Sequence, residues 1–529
     1  MIAALAVFAA AFTLYLSCLY PAIAPRDSSD LVSTAMTLGV AHPPGYPLYS
    51  VLGRAWLAIF PWGNPAYRLN VLAALAGAAA VAGLFVLVRR RSGPLGGLTA
   101  AFLWTLSAPL WKFSLLAESY SLQALFAVVL LLLAEGRRED VFARARLSGL
   151  ALGLGLVNHQ SLLFFVPGVL WAWRVEATRC GARLDRLAAA AAPPLAAGLA
   201  LYSFLWIRLG ALGPALAEAL RLRYGAGTLF AGLAGPLTLE SGLALLGYAA
   251  RATADAIAWP AACAAVVGAA FAWRADRGRA ETWLLAGAGG VIFVVLSRFD
   301  PANWVAREVL EPAFLLPALI AAAYAGEAVA RLTAPYGEAA ALALVAGVLP
   351  LHFPRTGHRG DFLAYDYVRD LRRTVPPGGA LLLSGDTASF GLRWLSLVAP
   401  ESVPRETADA PLVDAKAWLA ARAGRKDVFS TGIGRADLRA LGLPSAAVPL
   451  APAGLAQHVG TRPPQPFPPS VLRRPRAWAD DDSYVHGMKL SYAYASWLSA
   501  RLLEEQGLTA PEALDLTAAA VDPDDYRLK

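Results

Sequence analysis

Charge and cysteine are both scarce in this chain. Asp, Glu, Lys and Arg make up 16% of its 529 residues and apolar types 57%, whereas soluble domains carry about a quarter of their residues charged. With a mean hydropathy of +0.49, an ordinary soluble protein is excluded as the whole of the molecule. The three cysteines, Cys18, Cys180 and Cys263, are far apart and form no CxxC pair. They outline neither a disulfide framework nor a zinc site, and two of them lie in apolar runs as small helix-filling residues. No internal repeat is visible. Basic residues are missing before the first apolar run, Met1–Tyr20. A secretory leader has such a basic start, so that run reads as an uncleaved first helix despite the small residues Ala22, Ile23 and Ala24.

The net charge of +8 and isoelectric point of 9.4 would suit a nucleic-acid binder, but the arginines sit in short loops between apolar runs. That is the pattern of membrane insertion, and no nucleic-acid partner is expected. A membrane helix needs about 20 mostly apolar residues. Suitable runs fall near 1–20, 67–88, 94–110, 119–134, 187–207, 258–273, 282–297, 309–330 and 336–352. Arginine clusters at 89–91, at 137, 138, 144 and 146, at 174–186 and at 274–279 mark cytoplasmic loops. Leu147–Trp173 is flanked by two such clusters, so it must cross an even number of times. The pattern predicts two short helices in a hairpin with Asn158 and His159 at its outer apex.

These readings predict a mainly α, polytopic transmembrane bundle of about eleven helices over residues 1–352, followed by a smaller soluble α/β domain over 353–529. The protein is expected to be a multi-pass integral membrane protein with a cytoplasmic N-terminus and an extracytoplasmic C-terminal domain. In that domain Ala380–Ser384 reads as a buried strand and Ser389–Val398 as a helix. A proline-rich linker at Arg462–Pro469 precedes a final amphipathic helix around Met488–Gln506. The domain's location suggests acceptor recognition or positioning.

In this topology several polar segments share the outer face. Asp27 and Asp30 stand one helical turn apart beside Arg26, and His42-Pro43-Pro44-Gly45-Tyr46-Pro47 follows. Trp111-Lys112 and Glu118-Ser119-Tyr120 flank two helix ends, and Arg298, Asp300, Arg307, Glu308 and Glu311 cluster before a late apolar run. Each has a plainer reading alone. Asp27 and Asp30 suit a helix cap, the proline run a rigid turn with a cis peptide, and Trp111 with Lys112 an interfacial anchor. Asn158 and His159 suit a polar kink, and the late cluster an exposed loop. Their convergence on one surface points instead to a site for a charged, lipid-borne ligand.

The same residues resemble a family of membrane proteins grouped with the protein O-mannosyltransferases of the GT-C glycosyltransferase class. The likeness runs through Asp27-Ser28 with Asp30, Ala41–Pro47, Gly63–Asn70, Glu118–Leu122 and Asn158-His159, and more loosely to Arg307 and Pro312. It implies a GT-C fold and inverting transfer of a mannose-like sugar from a polyprenyl-phosphate donor to a protein hydroxyl or other acceptor. Asp27 and Asp30 would be the catalytic carboxylates, with Asp27 the better base. His42, Tyr46, Arg68, Lys112, Glu118, Asn158, His159 and Arg307 would bind substrate, Arg307 first and Lys112 second as cations for the departing phosphate. Two departures stand out: Arg26 replaces the family's usual glycine, and Asp30 its usual glutamate. No cofactor is expected and no metal motif is visible, while the paired acids leave a bound divalent cation open. A lipid-linked sugar transporter would instead show polar residues midway along several helices. A non-catalytic membrane anchor displaying the C-terminal domain would hardly need so many spans.

Overall fold

The computed structural model describes residues 1–136, 140–222, 234–332, 335–352, 357–376, 379–400, 406–409, 415–422, 427–431, 450–459, 484–489, 491, 492 and 495. The proline-rich linker, most of the final helix, and Arg137 and Arg138 lie outside the described residues. The chain divides into two compact units, Met1–Leu19 with Thr34–Arg359, and Tyr20–Ser33 with Gly360–Lys529.

The described elements of the first unit are helices, with one isolated bridge between Ala234 and Phe299. Its elements are α1 (Ile2–Cys18), α2 (Ser28–Thr37, which starts in the second unit), α3 (Pro47–Ile59), α4 (Pro65–Thr105), α5 (Ala108–Ser114), α6 (Tyr120–Ala134), α7 (Val141–Asn158) and α8 (Val166–Cys180). There follow α9 (Leu184–Leu199), α10 (Ser203–Leu209), α11 (Leu212–Ala219), α12 (Leu239–Ile257), α13 (Trp259–Ala275), α14 (Arg277–Ser297), α15 (Trp304–Leu310), α16 (Leu315–Arg331) and α17 (Tyr336–His352). Each apolar run expected from the sequence forms helix. Among the described residues four helical stretches, at 65–105, 184–209, 277–297 and 304–331, are long and apolar enough to cross a membrane, and α12 with α13 forms a further pair bent by 107°. The first of these is itself interrupted at Gly93, whose φ of 72° precedes Pro94. A β-carbon on Gly97 would meet Phe85 and Arg89 at 3.0 Å, so the chain doubles back there. The runs 67–88 and 94–110 are thus two arms of one hairpin, with Arg89, Arg90 and Arg91 beside its turn.

Between apolar helices, close approach rather than hydrophobic sorting supplies the attraction, and small residues permit it. On α7, β-carbons on Gly149 and Gly153 would strike the Ala191 and Leu195 carbonyl oxygens of α9 at 2.1 and 2.5 Å. On α8, Gly168 meets Ala286 of α14 in the same way, at 2.7 Å. These contacts explain a departure from the expected hairpin. The helix does break at His159, which is extended at φ −156° and ψ 123°. Its two arms, however, pack on different partners, α7 on α9 and α6, α8 on α14.

The second unit contains α18 (Leu363–Thr374), β1 (Ala380–Leu383), α19 (Asp386–Val398), β2 (Glu406–Asp409), α20 (Ala415–Ala420), β3 (Val428–Ser430), β4 (Leu450–Ala453) and β5 (Ala456–Val459). The sheet order is β2-β1-β3-β5-β4. Strand β1 pairs in parallel with β2 and β3, whereas β3–β5 and β5–β4 are antiparallel. The strand and helix expected at 380–398 are β1 and α19. All four residues of β1 are buried, as a parallel strand covered on both faces requires. Helix α18 turns Leu363, Tyr367, Val368 and Leu371 inward. It also buries Asp370, whose carboxylate accepts from the Tyr492 hydroxyl at 2.9 Å.

The helix contacts make a paired prediction. A β-carbon on Gly268 of α13 would lie 1.8 Å from the Tyr324 carbonyl oxygen of α16, whereas one on Gly247 of α12 meets nothing within 4 Å. Gly268→Ala must push two backbones apart and is expected to cost about 1–3 kcal/mol. Gly247→Ala gains helix propensity and should be neutral or stabilising by up to about 1 kcal/mol. Thermal unfolding in detergent distinguishes the two.

Candidate active site

The segment that follows α1 is shared between the two units. In the second unit, Asp27 immediately precedes α2, and its carbonyl accepts from the Leu31 N–H at 3.0 Å. Asp30 lies in the first turn of that helix. Its carboxylate has no solvent exposure and accepts from Arg393 Nη1 of α19 at 3.0 Å. Asp27 is half-buried. Arg26, where the family pattern has glycine, adopts φ 70°, a left-handed conformation that side chains other than glycine enter at a cost. Its guanidinium lies 5.5 Å from the Tyr484 ring centroid, a cation–π contact that offsets part of that cost.

In the first unit, the Pro43–Pro44 bond is cis, and Gly45 and Tyr46 follow at φ 87° and 45°. The Gly45 N–H donates to the His42 carbonyl at 2.9 Å, closing a turn that folds Tyr46 back onto His42. Their ring centroids are 5.0 Å apart. The row continues from Tyr46 to His159 at 5.7 Å, from His159 to Tyr120 at 4.8 Å, and from Tyr120 to Phe113 at 4.6 Å. Segments over a hundred residues apart in sequence therefore meet in one aromatic row. Asn158 joins it by donating Nδ2–H to the Ser119 carbonyl at 3.0 Å. Glu118, buried beside them, lies close enough to the Tyr49 hydroxyl for their charges to interact.

His159 also heads a polar chain. Its Nδ1 accepts from the Ser161 N–H at 3.2 Å, and Ser161 Oγ lies 2.6 Å from the same nitrogen. With Nδ1 accepting the amide hydrogen, the proton of the neutral ring falls to Nε2. Gln123 Nε2 donates to Ser161 Oγ at 2.8 Å. This chain forms one wall of a pocket whose other walls are Phe164, Phe293, Val309, Pro312 and Leu316, with Gly289 and Gly290 between them. The glycines belong there because β-carbons would collide with the Phe164 and Ala313 carbonyl oxygens at 2.0 and 2.1 Å. The pocket is amphipathic: a line of hydrogen-bonding groups faces an apolar wall.

Of the residues singled out from the sequence, His42, Tyr46, Asn158 and His159 come together, and Glu118 adjoins them. Lys112 is paired with Glu311 at 3.0 Å. Arg307 is exposed on α15, near Tyr248. Arg68 is half-buried on α4, its carbonyl accepting from the Trp56 indole at 2.6 Å. Sequence reasoning missed Gln123, Ser161 and Arg221. Arg221 lies within electrostatic reach of His159, although 62 residues separate them in the chain. The first two had a signal, since Gln123 follows the Glu118–Leu122 motif and Ser161 follows Asn158-His159. Arg221 had none. Among the described residues no group of three or more His, Cys, Asp or Glu side chains is placed to hold a metal.

The backbone at Arg26 generates a test. Arg26→Gly is expected to stay within about 1 kcal/mol of the natural chain, and Arg26→Ala to be less stable than Arg26→Gly by roughly 1 kcal/mol. Both lose the contact with Tyr484, so their difference in thermal midpoint reads the backbone cost alone.

Residues 27–179 match the family described as the protein O-mannosyl-transferase TMEM260 N-terminal domain. The mouse protein O-mannosyl-transferase TMEM260 is 36% identical over 214 residues, 39% of this chain and 29% of the mouse protein. Its Dictyostelium discoideum counterpart is 27% identical over 170 residues, 29% of this chain and 21% of that protein. The chain thus spans less than a third of the length of these curated relatives. In fold it is similar to ArnT from Cupriavidus metallidurans, solved bound to undecaprenyl phosphate, with a TM-score of 0.52 at 12% identity over 88% of this chain and 99% of that one. The chain is an integral membrane protein with the GT-C fold, and its residues 27–179 are similar to the N-terminal domain of the protein O-mannosyl-transferase TMEM260 family.

Proposed function

We propose that this protein is an inverting glycosyltransferase that moves a mannose-like sugar from a polyprenyl-phosphate donor to a protein hydroxyl at the outer membrane face. The observation that carries the reading is the meeting of His42, Tyr46, His159 and Tyr120 beside an amphipathic pocket. These residues come from three separate segments of the family-matched region. A lipid-linked sugar has the same two-sided character as that pocket, apolar along the prenyl chain and polar at the phosphate and sugar. ArnT holds undecaprenyl phosphate on the same fold, which supports a donor of this class. The arginine-rich loops support a cytoplasmic N-terminus and an extracytoplasmic C-terminal domain.

The chemistry follows from the weakness of the nucleophile. A serine or threonine hydroxyl attacks the anomeric carbon only as its proton is removed, and Asp27 is assigned that proton. As the new C–O bond forms, the bond from the anomeric carbon to the phosphate oxygen breaks with inversion, and the electron pair leaves with the polyprenyl phosphate. Positive charge on the sugar in the transition state is stabilised by carboxylates, and negative charge on the departing phosphate by a cation. Arg221 joins Arg307 as a candidate for that cation. Lys112, already paired with Glu311, is the weaker choice. Tyr46, Tyr120 and the two histidines would offer ring faces and N–H groups to the sugar, and Gln123 and Ser161 hydrogen bonds to the donor's polar end.

The direct test is sugar transfer from radiolabelled polyprenyl-phosphate donors in membranes, comparing the natural chain with Asp27→Asn at matched expression. Loss of a general base is expected to lower the rate about 100-fold or more. Equal rates would remove Asp27 from the mechanism, and no transfer by the natural chain from any such donor would overturn the donor assignment. In the same assay Gln123→Leu, which removes a neutral hydrogen-bonding group, is expected to raise the donor KM roughly 3- to 10-fold. An unchanged donor KM would take the pocket out of donor binding.

A further inference from the structure

The segment that carries the two acidic residues is packed as part of the C-terminal unit, although it lies hundreds of residues away in sequence. Tyr20–Ser33 forms one compact body with Gly360–Lys529. One polar link between them is the ion pair of Asp30 and Arg393 Nη1 at 3.0 Å, across 363 residues of chain. Asp30 has no exposed side-chain surface, whereas Arg393 is 47% exposed. A buried carboxylate without a partner is strongly unfavourable, and the Arg393 guanidinium supplies Asp30 with one. A second clasp lies just upstream, where Arg26 covers the Tyr484 ring at 5.5 Å.

The local geometry carries this anchoring to Asp27. The Leu31 N–H donates to the Asp27 carbonyl at 3.0 Å, which makes Asp27 and Asp30 parts of one helical turn. Upstream, the Ala24 N–H donates to Ser28 Oγ at 3.4 Å, and within the helix Ser33 Oγ donates to the Ser29 carbonyl at 2.7 Å. With Asp30 pinned three residues on and Arg26 pinned one residue before, the Asp27 backbone is held on both sides. We infer that Arg393 is a positioning residue for the transfer reaction, holding the turn that carries Asp27 through its ion pair with Asp30. The C-terminal unit is then part of the catalytic apparatus rather than an appendage that only recognises acceptors. This inference rests on the assignment of Asp27 as base.

The experiment is steady-state transfer by the full-length protein in detergent, with donor and acceptor varied separately, for Arg393→Ala, Arg393→Gln, Arg393→Lys, Asp30→Asn and the double variant Asp30→Asn/Arg393→Ala. Misplacement of a catalytic group by about 1 Å costs on the order of 100-fold, so Arg393→Ala is expected to lower kcat about 10- to 100-fold with donor and acceptor KM unchanged. Arg393→Lys should recover part of the loss, and the double variant should be no worse than the more damaging single one. Should Arg393→Ala not yield folded protein, Arg393→Gln, which keeps a polar side chain but is uncharged and too short to reach Asp30 as the guanidinium does, carries the same expectation. Unchanged kcat in the folded variants overturns the proposal. So does a rise in acceptor KM alone, which would mean direct acceptor contact, or a double variant showing the product of the two single losses. Asp27→Asn in parallel separates the two readings: if it transfers at the natural rate, the assignment of the base has failed, whatever Arg393 does.

Discussion

A charge inside an apolar bundle is tolerable only where another group answers it, because the medium neither solvates nor screens it. That constraint orders the ionisable residues of this chain. Arg144 and Glu176 are both buried and pair at 2.6 Å. Arg279 and Glu327 do the same between α14 and α16. At the turn of the α4 hairpin, Arg91 reaches Glu135 at 2.8 Å and Asp276 at 3.3 Å, and Arg179 also meets Asp276. These pairs join α7 to α8, α14 to α16, and the turn of the α4 hairpin to the ends of α6, α8 and α14, so the arginine-rich segments serve as polar clasps.

Hydrogen bonding in the pocket follows the same logic on a smaller scale. Gln123, Ser161 and His159 are linked in series, and Asn158 is tied to the Ser119 backbone. Such a chain can accept a polar ligand because its members are already oriented, which lowers the ordering cost of binding. The apolar wall opposite is positioned by the glycines of α14, whose missing side chains let the Phe164 and Ala313 backbones come within contact distance. Helix packing and pocket shape are therefore one problem with one solution. A larger residue at 289 or 290 would move the wall and the polar chain together.

Much of the fold was legible because its signals are local. Apolar runs of spanning length mark helices wherever they occur, and α1, α6, α13, α14 and α17 stand where those runs lie. The break at His159 was legible for a different reason, since basic clusters on both sides of Leu147–Trp173 predict an even number of crossings and so a break between them. The pairing of its arms was not, because it depends on which helices offer a small-residue face. Gly149 and Gly153 meet α9, and Gly168 meets α14. At the site, His42, Tyr46, Asn158 and His159 are legible from their predicted convergence on one surface and from the resemblance to a family motif, whereas Gln123 and Ser161 adjoin motif segments without belonging to them.

The sequence by itself determined the class of molecule, the helical segments, the buried β1 strand with its following helix, and the residues that carry the family likeness. Composition and periodicity are properties of short windows, and short windows suffice for these. Only the tertiary structure decided that Asp30 answers Arg393, that Lys112 answers Glu311, that Arg221 comes near His159, and that Tyr20–Ser33 packs with the C-terminal unit. Each joins residues far apart in the chain, and neither member of any pair has a local pattern that names the other. Long-range charge pairing is settled by which surfaces are buried together, and burial is a property of the folded chain.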